Sequence, residues 1–235
     1  MTYDNIHKGI FIHRPNRFIA EVEIAGNVEI CHVKNTGRCK ELLTPGAVVY
    51  VNAANNPARV TKYDLVTVHK GERLINIDSQ APNRAFGEYL RQGKFLDLGI
   101  PVFVKPEAKY RNSRFDFYIE TETRKAFIEV KGVTLEEHGV AMFPDAPTER
   151  GVKHLNELAT CIHNGFDAYV VFVVQMKGVS YFMPNYSIHA AFGENLKRVA
   201  DLGVKVVAYD CIVTPLAMLI SEGVQICYGN VLDKC

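Results

Sequence analysis

The first third of the chain alternates. Phe18-Ile-Ala-Glu-Val-Glu-Ile24 sets apolar against charged residues at every second position, and Val28 to Val33 follows an Ala-Gly-Asn turn. A period of two belongs to a strand with one buried face. Ala47 to Val51, Leu65 to His69 and Arg73 to Ile77 also read as strands, separated by Gly, Pro and Asn. Five or so short strands, with no convincing amphipathic helix among them, predict a small barrel or sandwich.

The pattern changes after Asp78. Asn83 to Arg91 reads as helix, with Phe86 and Leu90 one turn apart. Strands follow at Pro101 to Val104, Arg114 to Glu120 and Lys125 to Val133. A helix from about Thr148 to His163 gathers Val152, Leu155, Leu158, Ala159 and Ile162 on one face. Then come a buried strand, Ala168 to Val174, a helix near Ile188 to Leu202 and a strand at Lys205 to Tyr209. Gly165 and Gly203 fit as helix terminators. An α/β segment thus follows an all-β one (α+β overall). We place the boundary near residue 78, dividing the chain into 1–78 and 79–235.

Charge sharpens this picture. Among 235 residues, 27 Lys+Arg meet 26 Asp+Glu, a net +1 that excludes a polycation coating nucleic acid by bulk charge. A local phosphate groove remains open, because residues 1–78 carry a net +2 and the remainder −1. The six cysteines are scattered and form no C-x-x-C pair, which argues against a disulfide scaffold or zinc site and for thiols in a reducing compartment. No apolar stretch approaches the ~20 residues that span a bilayer. The N-terminus lacks the apolar core of a signal peptide. The expectation is a cytoplasmic protein with no membrane partner.

The chemistry concentrates in Ser113-Arg-Phe-Asp-Phe-Tyr-Ile-Glu120 and Lys125-Ala-Phe-Ile-Glu-Val-Lys131. Strand alternation puts Asp116 on a face with Arg114 and Tyr118, and Phe115, Phe117 and Ile119 on the other. Glu129 and Lys131 share a face on the second strand. If the hairpin closes symmetrically over Thr121 to Arg124, Asp116 lies opposite Glu129, with Cβ atoms ~4.5–5.5 Å apart. Two carboxylates there repel unless a cation lies between them, and Mg²⁺ (or Mn²⁺) prefers such oxygen ligands. Lys131 could then orient or deprotonate a water, or stabilise charge on a phosphate. Roughly one Glu-x-Lys triplet arises by chance at this composition, so spacing alone is weak. The chain holds two. Glu107-Ala-Lys109 follows Pro106 and reads as a solvated pair in a polar loop. The triplet at Glu129 lies inside an apolar strand. Arg114–Asp116 and Glu129–Lys131 would equally suit a salt-bridged sheet surface. Glu88 would add a third acidic metal ligand if its helix enters this sheet, and would otherwise face solvent.

Two further stretches bear cations. In Met142-Phe-Pro-Asp-Ala-Pro-Thr-Glu-Arg-Gly-Val-Lys-His154, Pro147 and Thr148 suit a helix start. Arg150, His154 and Glu157 then form one polar stripe. With Lys153 that stripe could grip a phosphate, or be a solvated helix face. In Val33-Lys-Asn-Thr-Gly-Arg-Cys-Lys40, Arg38 and Lys40 flank turn chemistry and could contact phosphates, or be exposed charges on an interstrand turn. Arg14, Arg17, His32 and Lys34 permit a basic, partly aromatic face of the kind small barrels offer nucleic acid. No Walker loop, dinucleotide glycine fingerprint or Gly-x-Ser-x-Gly elbow is present.

Four motifs in order, Asn-Thr-Gly-Arg with Glu-Leu-Leu-x-Pro-Gly, Ser-Arg-Phe-Asp-Phe, Glu-Val-Lys-x-Val-Thr-Leu and Ala-Met-Phe-Pro-Asp-Ala-Pro-Thr-x-Arg-Gly-x-Lys-His-Leu, resemble the sugar fermentation stimulation protein A family. The resemblance runs essentially end to end. It implies an N-terminal OB-like barrel in residues 1–78 and a PD-(D/E)xK nuclease-like domain in 79–235. It also implies non-sequence-specific DNA binding linked to regulation of maltose metabolism. Residue by residue, the nuclease pattern falls on Asp116 and Glu129 as metal ligands and Lys131 as catalytic lysine, with Glu88 matched to the acidic residue of the first core helix. Gly132 departs from the expected Ser, and Ile77-Asp78-Ser79 from the more usual Asn-Thr. Two functions follow as expectations: a Mg²⁺-dependent phosphodiesterase on DNA, or a non-catalytic DNA-binding transcriptional regulator on a degenerate nuclease fold. A protein–protein interaction module is the blander third. A homodimer is allowed as a further partner.

Overall fold

The computed structural model describes residues 1–229 apart from Thr36, Arg38 and Pro57. Strands β1 (Ile6–Asn16), β2 (Ile19–Ile24), β3 (Asn27–Val33), β4 (Val48–Ala53), β5 (Tyr63–Lys70) and β6 (Arg73–Asn76) pair in the order β3-β2-β1-β4-β5-β6. A parallel pairing of β3 with β5 closes the ring, so five strands make an OB-like barrel with β6 laid beside β5. Its interior is apolar: Phe11, Ala20, Val22, Cys31, Val49, Val51, Leu65 and Val68 are all buried. The sequence pattern missed β1, because the strand does not alternate: Ile10, Phe11 and Ile12 are consecutive, and only Gly9 and Phe11 within it are buried.

The remainder contains α1 (Ala81–Arg91), β7 (Phe103–Tyr110), β8 (Ser113–Glu120), β9 (Lys125–Val133), β10 (Leu135–Glu137) and β11 (Val140–Phe143). There follow α2 (Glu149–His163), β12 (Asp167–Val174), β13 (Tyr181–Pro184), α3 (Tyr186–Asp201), β14 (Lys205–Thr214) and β15 (Ala217–Gly223). The large sheet has the order β15-β14-β12-β9-β8-β7, parallel at its centre and antiparallel at both edges. Burial on both faces explains the continuous apolar run of β12. On one face Ala85, Phe86 and Leu90 of α1 join Phe117, Ile119, Ile128, Val130 and Val171. On the other, Leu155, Leu158 and Cys161 of α2 and Phe192, Leu196 and Val199 of α3 join Phe127, Val170 and Phe172. The short strands β10, β11 and β13 form a separate sheet. Glu107-Ala-Lys109, expected in a polar loop, lies inside β7. Pro106 is tolerated there because β7 is an edge strand.

Buried polar contacts fasten the barrel to the second segment. Gln175 Nε2 donates to the carbonyls of Asn76 and Asp78 and to Asn76 Oδ1, and Asn76 Nδ2 donates to the Tyr3 hydroxyl. Glu136 receives Lys70 Nζ at 2.9 Å, Arg73 NH1 at 2.8 Å and the Gly139 amide at 2.6 Å. Burial opposes ionisation of Glu136, but hydrogen bonds from Lys70, Gly139 and Arg73 outweigh it and hold its pKa down at about 2. A carboxyl depressed in the folded state stabilises the fold above its unfolded pKa, and that contribution is lost as pH falls through the folded one. Wild-type stability should therefore fall between about pH 4.5 and 2 more steeply than that of Glu136→Gln. Urea denaturation of both proteins across that range checks it, and parallel acid limbs would contradict it.

Candidate active site

The β8–β9 hairpin turns tightly, with the Thr121 amide donating to the Arg124 carbonyl at 2.9 Å. Its register pairs Glu120 with Lys125, Ile119 with Ala126, Tyr118 with Phe127 and Phe117 with Ile128, the symmetric closure expected from the sequence. Among the described residues the ladder ends there. At the next step Asp116 Oδ2 accepts the Val130 amide at 2.7 Å, so a side chain takes the place of a strand carbonyl. Phe117 meets Phe86 on the α1 side, whereas Phe115 meets Phe127 and His154 on the α2 side. Residues two apart on a regular strand share a face. The chain therefore turns over at Asp116, which corrects the expectation that Phe115 and Phe117 point the same way.

This turn brings Asp116 to the carboxylate of Glu129. Asp116 Oδ1 accepts from Asn83 Nδ2 of α1 at 2.6 Å. Burial, and next the negative charge of Glu129, push its pKa up to about 6, against the opposing pull of the Val130 amide and Lys131. Glu129 is buried, and burial works against its charge too, yet the His154 hydrogen bond and Lys131 hold its pKa below the ordinary value. Both contacts fall on one oxygen: Lys131 Nζ lies 2.6 Å and His154 Nδ1 2.5 Å from Oε1. The other oxygen, Oε2, is buried and has no hydrogen-bond partner among the described residues.

The α2 stripe does something different from what its spacing suggested. Thr148 caps the helix, its hydroxyl accepting the Gly151 amide at 3.0 Å, so Pro147 precedes the cap instead of opening the helix. His154 is buried, not presented to a phosphate. Arg150 Nε donates to His154 Nε2 at 3.4 Å, which leaves Nδ1 as the N–H given to Glu129. Arg150 is exposed and, through His154, is connected to the buried carboxylate. Lys153 is exposed but shares a shallow cavity with Glu149 and Glu157, a setting unfavourable to a phosphate.

Glu88 is not brought to this pair. Its Oε2 receives the Met1 ammonium at 2.6 Å, and the α1 side chain that reaches Asp116 is Asn83. Among the described residues no group of three or more His, Cys, Asp and Glu is arranged to hold a metal ion. Lys40 is exposed at the rim of a basic cleft on the barrel, and Arg38 lies outside the described residues. Sequence reasoning missed Asn83 and the positioning part of His154. Asn83 follows Pro82 in the first turn of α1, a local signal for its helix but not for a partner 33 residues away.

The description "Sugar fermentation stimulation protein RE domain" matches residues 80–217, and "SfsA N-terminal OB domain" matches residues 12–77. The chain belongs to the sugar fermentation stimulation protein family. A homolog from Clostridium beijerinckii is 57% identical over 96% of this chain and 99% of its own length. One from Desulfitobacterium hafniense is 59% identical over 91% and 92%. The solved structure of Pyrococcus furiosus SfsA in complex with Ca²⁺ is similar over 96% of this chain and 97% of its own, at 27% identity and a TM-score of 0.87.

The departure at Gly132 has a local cause. A Cβ there would overlap Gln175 Oε1 and stand 2.7 Å from Pro82 Cγ, so the Gln175 contacts that fasten the barrel take the space a serine would need. The family motifs in the two segments also meet. A Cβ at Gly37 would overlap the Asp145 carboxylate, so Gly37 of the first motif packs against Asp145 of the last. No described helix is long and apolar enough to cross a membrane. Cys31, Cys39, Cys161 and Cys211 are free and buried, and Cys227 is disulfide-bonded.

For Asp116 the pH linkage has the opposite sign to that of Glu136. A carboxyl whose folded pKa is raised favours the fold while protonated, so stability falls as pH rises from about 3.8 to 6. Asp116→Asn should remove this decline in metal-free buffer. Denaturant midpoints of both proteins across that window measure it, and identical slopes would contradict the burial and Glu129 repulsion assigned to Asp116.

Proposed function

We propose that this protein binds DNA and hydrolyses phosphodiester bonds at a divalent-cation site formed by Asp116 and Glu129. The observation that carries this reading is the buried Glu129 Oε2, which lacks a hydrogen-bond partner among the described residues and lies on a carboxylate close enough to Asp116 to raise its pKa. A buried carboxylate oxygen without a partner is costly, and a second carboxylate beside it adds to that cost. The donor set is all oxygen, which suits Mg²⁺ or Mn²⁺ over softer metals. Mg²⁺ commonly binds through one or two carboxylates and fills its remaining positions with water and substrate phosphate, so the displacement of Glu88 does not remove the fit. The Ca²⁺ named with the Pyrococcus furiosus relative is likewise a hard, oxygen-preferring cation.

When bound, such a cation lowers the pKa of water and polarises a phosphoryl oxygen. Lys131, held beside Glu129, offers N–H donors to charge developing on the phosphate. His154 fixes the Glu129 carboxylate through Oε1 and leaves Oε2 for the metal. Arg150 orients His154 and is exposed to contact the flanking phosphate.

A second reading, a non-catalytic DNA-binding regulator, draws on one observation. Glu129 Oε1 is already matched by Lys131 and His154, so half of the carboxylate is satisfied without a metal. Supercoiled plasmid incubated with Mg²⁺ or Mn²⁺ separates the two. Nicking that stops with chelator and falls at least about 100-fold in Asp116→Asn, Glu129→Gln and Lys131→Ala is expected. Calorimetry should show metal binding retained in Lys131→Ala and lost in Glu129→Gln. DNA binding without any metal-dependent nicking would establish the regulator instead.

A further inference from the structure

The barrel carries a cleft that the acidic pair does not use. It holds about 600 Å³ and is lined by His13, Arg14, Arg17 and Lys40, with Phe11, Leu43 and Pro45 supplying apolar surface and Ala146 closing the side toward α2. No carboxylate is among these residues. The cations differ in availability. Arg14 serves as a brace: NH1 donates to the Gly37 carbonyl at 3.0 Å, and NH2 donates to those of Arg17 and Asn35 at 2.5 and 2.7 Å. It thereby ties the β1–β2 turn to the loop that packs on Asp145. Arg17 and Lys40 are exposed. The Arg17 guanidinium lies 4.7 Å from the centroid of the Phe18 ring, itself 43% exposed.

A guanidinium held over an exposed ring forms a ready stacking platform. Beside it lie the exposed Lys40 and an apolar recess of the size of ordinary small-molecule sites. Cations on a rim contact phosphates, a planar guanidinium on an aromatic ring stacks against bases, and an apolar recess accepts a base outside a helix. A duplex keeps its bases stacked inside and could offer the cleft only its backbone. The outer faces of β2 and β3 do not compete for the strand, because Glu21 and Glu23 stand there opposite Ile30 and Val28.

Resting on the reading that the partner is DNA, we propose that this cleft binds a single-stranded segment, with phosphates on Arg17 and Lys40 and one unpaired base on the Arg17–Phe18 platform over the recess. Because Arg14 braces the loop that abuts Asp145, just ahead of α2, the cleft is rigidly connected to the segment that orients Glu129. Single-stranded DNA, or a duplex opened at a junction or flap, is then the preferred substrate class.

The test is equilibrium binding of the full chain, by fluorescence anisotropy in chelator, so that neither metal nor cleavage enters. The probes are a labelled single strand, the duplex of the same sequence and an abasic strand of equal length. Single-strand affinity should exceed both others by about tenfold, the worth of one stacked base. Phe18→Ala and Arg17→Ala should each abolish that margin, and Lys40→Ala should weaken all three probes alike. Circular dichroism checks that the variants, all at exposed positions, remain folded. Equal affinity for strand and duplex, or for normal and abasic strands, overturns the single-strand assignment while leaving DNA as the partner. A free nucleoside monophosphate that displaces the strand at equal concentration would make the cleft a mononucleotide site and also overturns it. No binding to any probe overturns the DNA reading and this one together.

Discussion

Repulsion between a buried carboxylate, Glu129, and a half-buried one, Asp116, organises the second segment. Asp116 and Glu129 come from adjacent strands, and burial raises the cost of each charge in the presence of the other. The chain meets that cost unequally. Glu129 takes the Lys131 ammonium from its own strand and the His154 Nδ1–H from α2, and its pKa is held down. Asp116 takes neutral donors, the Val130 amide and Asn83, and its pKa rises. Two environments on one pair of residues push the pKa values apart, the pattern by which sites assign separate tasks to like groups. The fold around them supplies the donors: α1 starts where Asn83 can reach β8, and α2 is capped so that His154 faces β9.

The same constraint reaches the barrel. His154 is held by Arg150, two residues after the Thr148 cap, and Asp145 ahead of that cap packs on Gly37 of the barrel loop. Arg14 joins that loop to the β1–β2 turn with three hydrogen bonds to carbonyls. Gln175, Asn76 and Tyr3 fasten the other side of the junction in a buried network. Polar groups this deep are tolerated only when paired, so a shift of the barrel would expose or orphan several at once. The barrel and the acidic pair are in this sense one mechanical unit, and the barrel interior is continuous with the core on the α2 side of the large sheet.

Much of this was legible where the physics is local. The β9 alternation put Glu129 and Lys131 on one face, and the symmetric turn over Thr121 to Arg124 gave the register that places Asp116 next to that face. The succession of an all-β and an α/β segment followed from the change of period along the chain. What was not legible depended on partners distant in sequence. Glu88 has the right charge on the right helix, but its position faces the Met1 ammonium 87 residues away. His154 was correctly placed on a polar stripe with Arg150, yet spacing cannot say whether such a stripe looks at solvent or at a buried carboxylate. The strand reversal at Asp116 was invisible for a related reason, since alternation presumes a backbone ladder and here a side chain replaces one of its bonds.

Net charge shows how far totals can mislead. A chain at +1 looks indifferent to polyanions. Yet the charges are not spread evenly. Glu136 and Asp64 are internally neutralised by Lys70, Arg73, Lys34 and Arg59. Those cations are spent on the fold, and so are the carboxylates that match them. The surplus that matters is what remains outward at particular places: Arg17 and Lys40 at the cleft, Arg150 near the acidic pair. Attraction from a few oriented charges falls off within a Debye length, about 8 Å at physiological salt. Such a surface cannot gather nucleic acid from a distance. On the DNA reading proposed above, it would discriminate at contact, where the shape of the cleft and the geometry of each cation decide what stays bound.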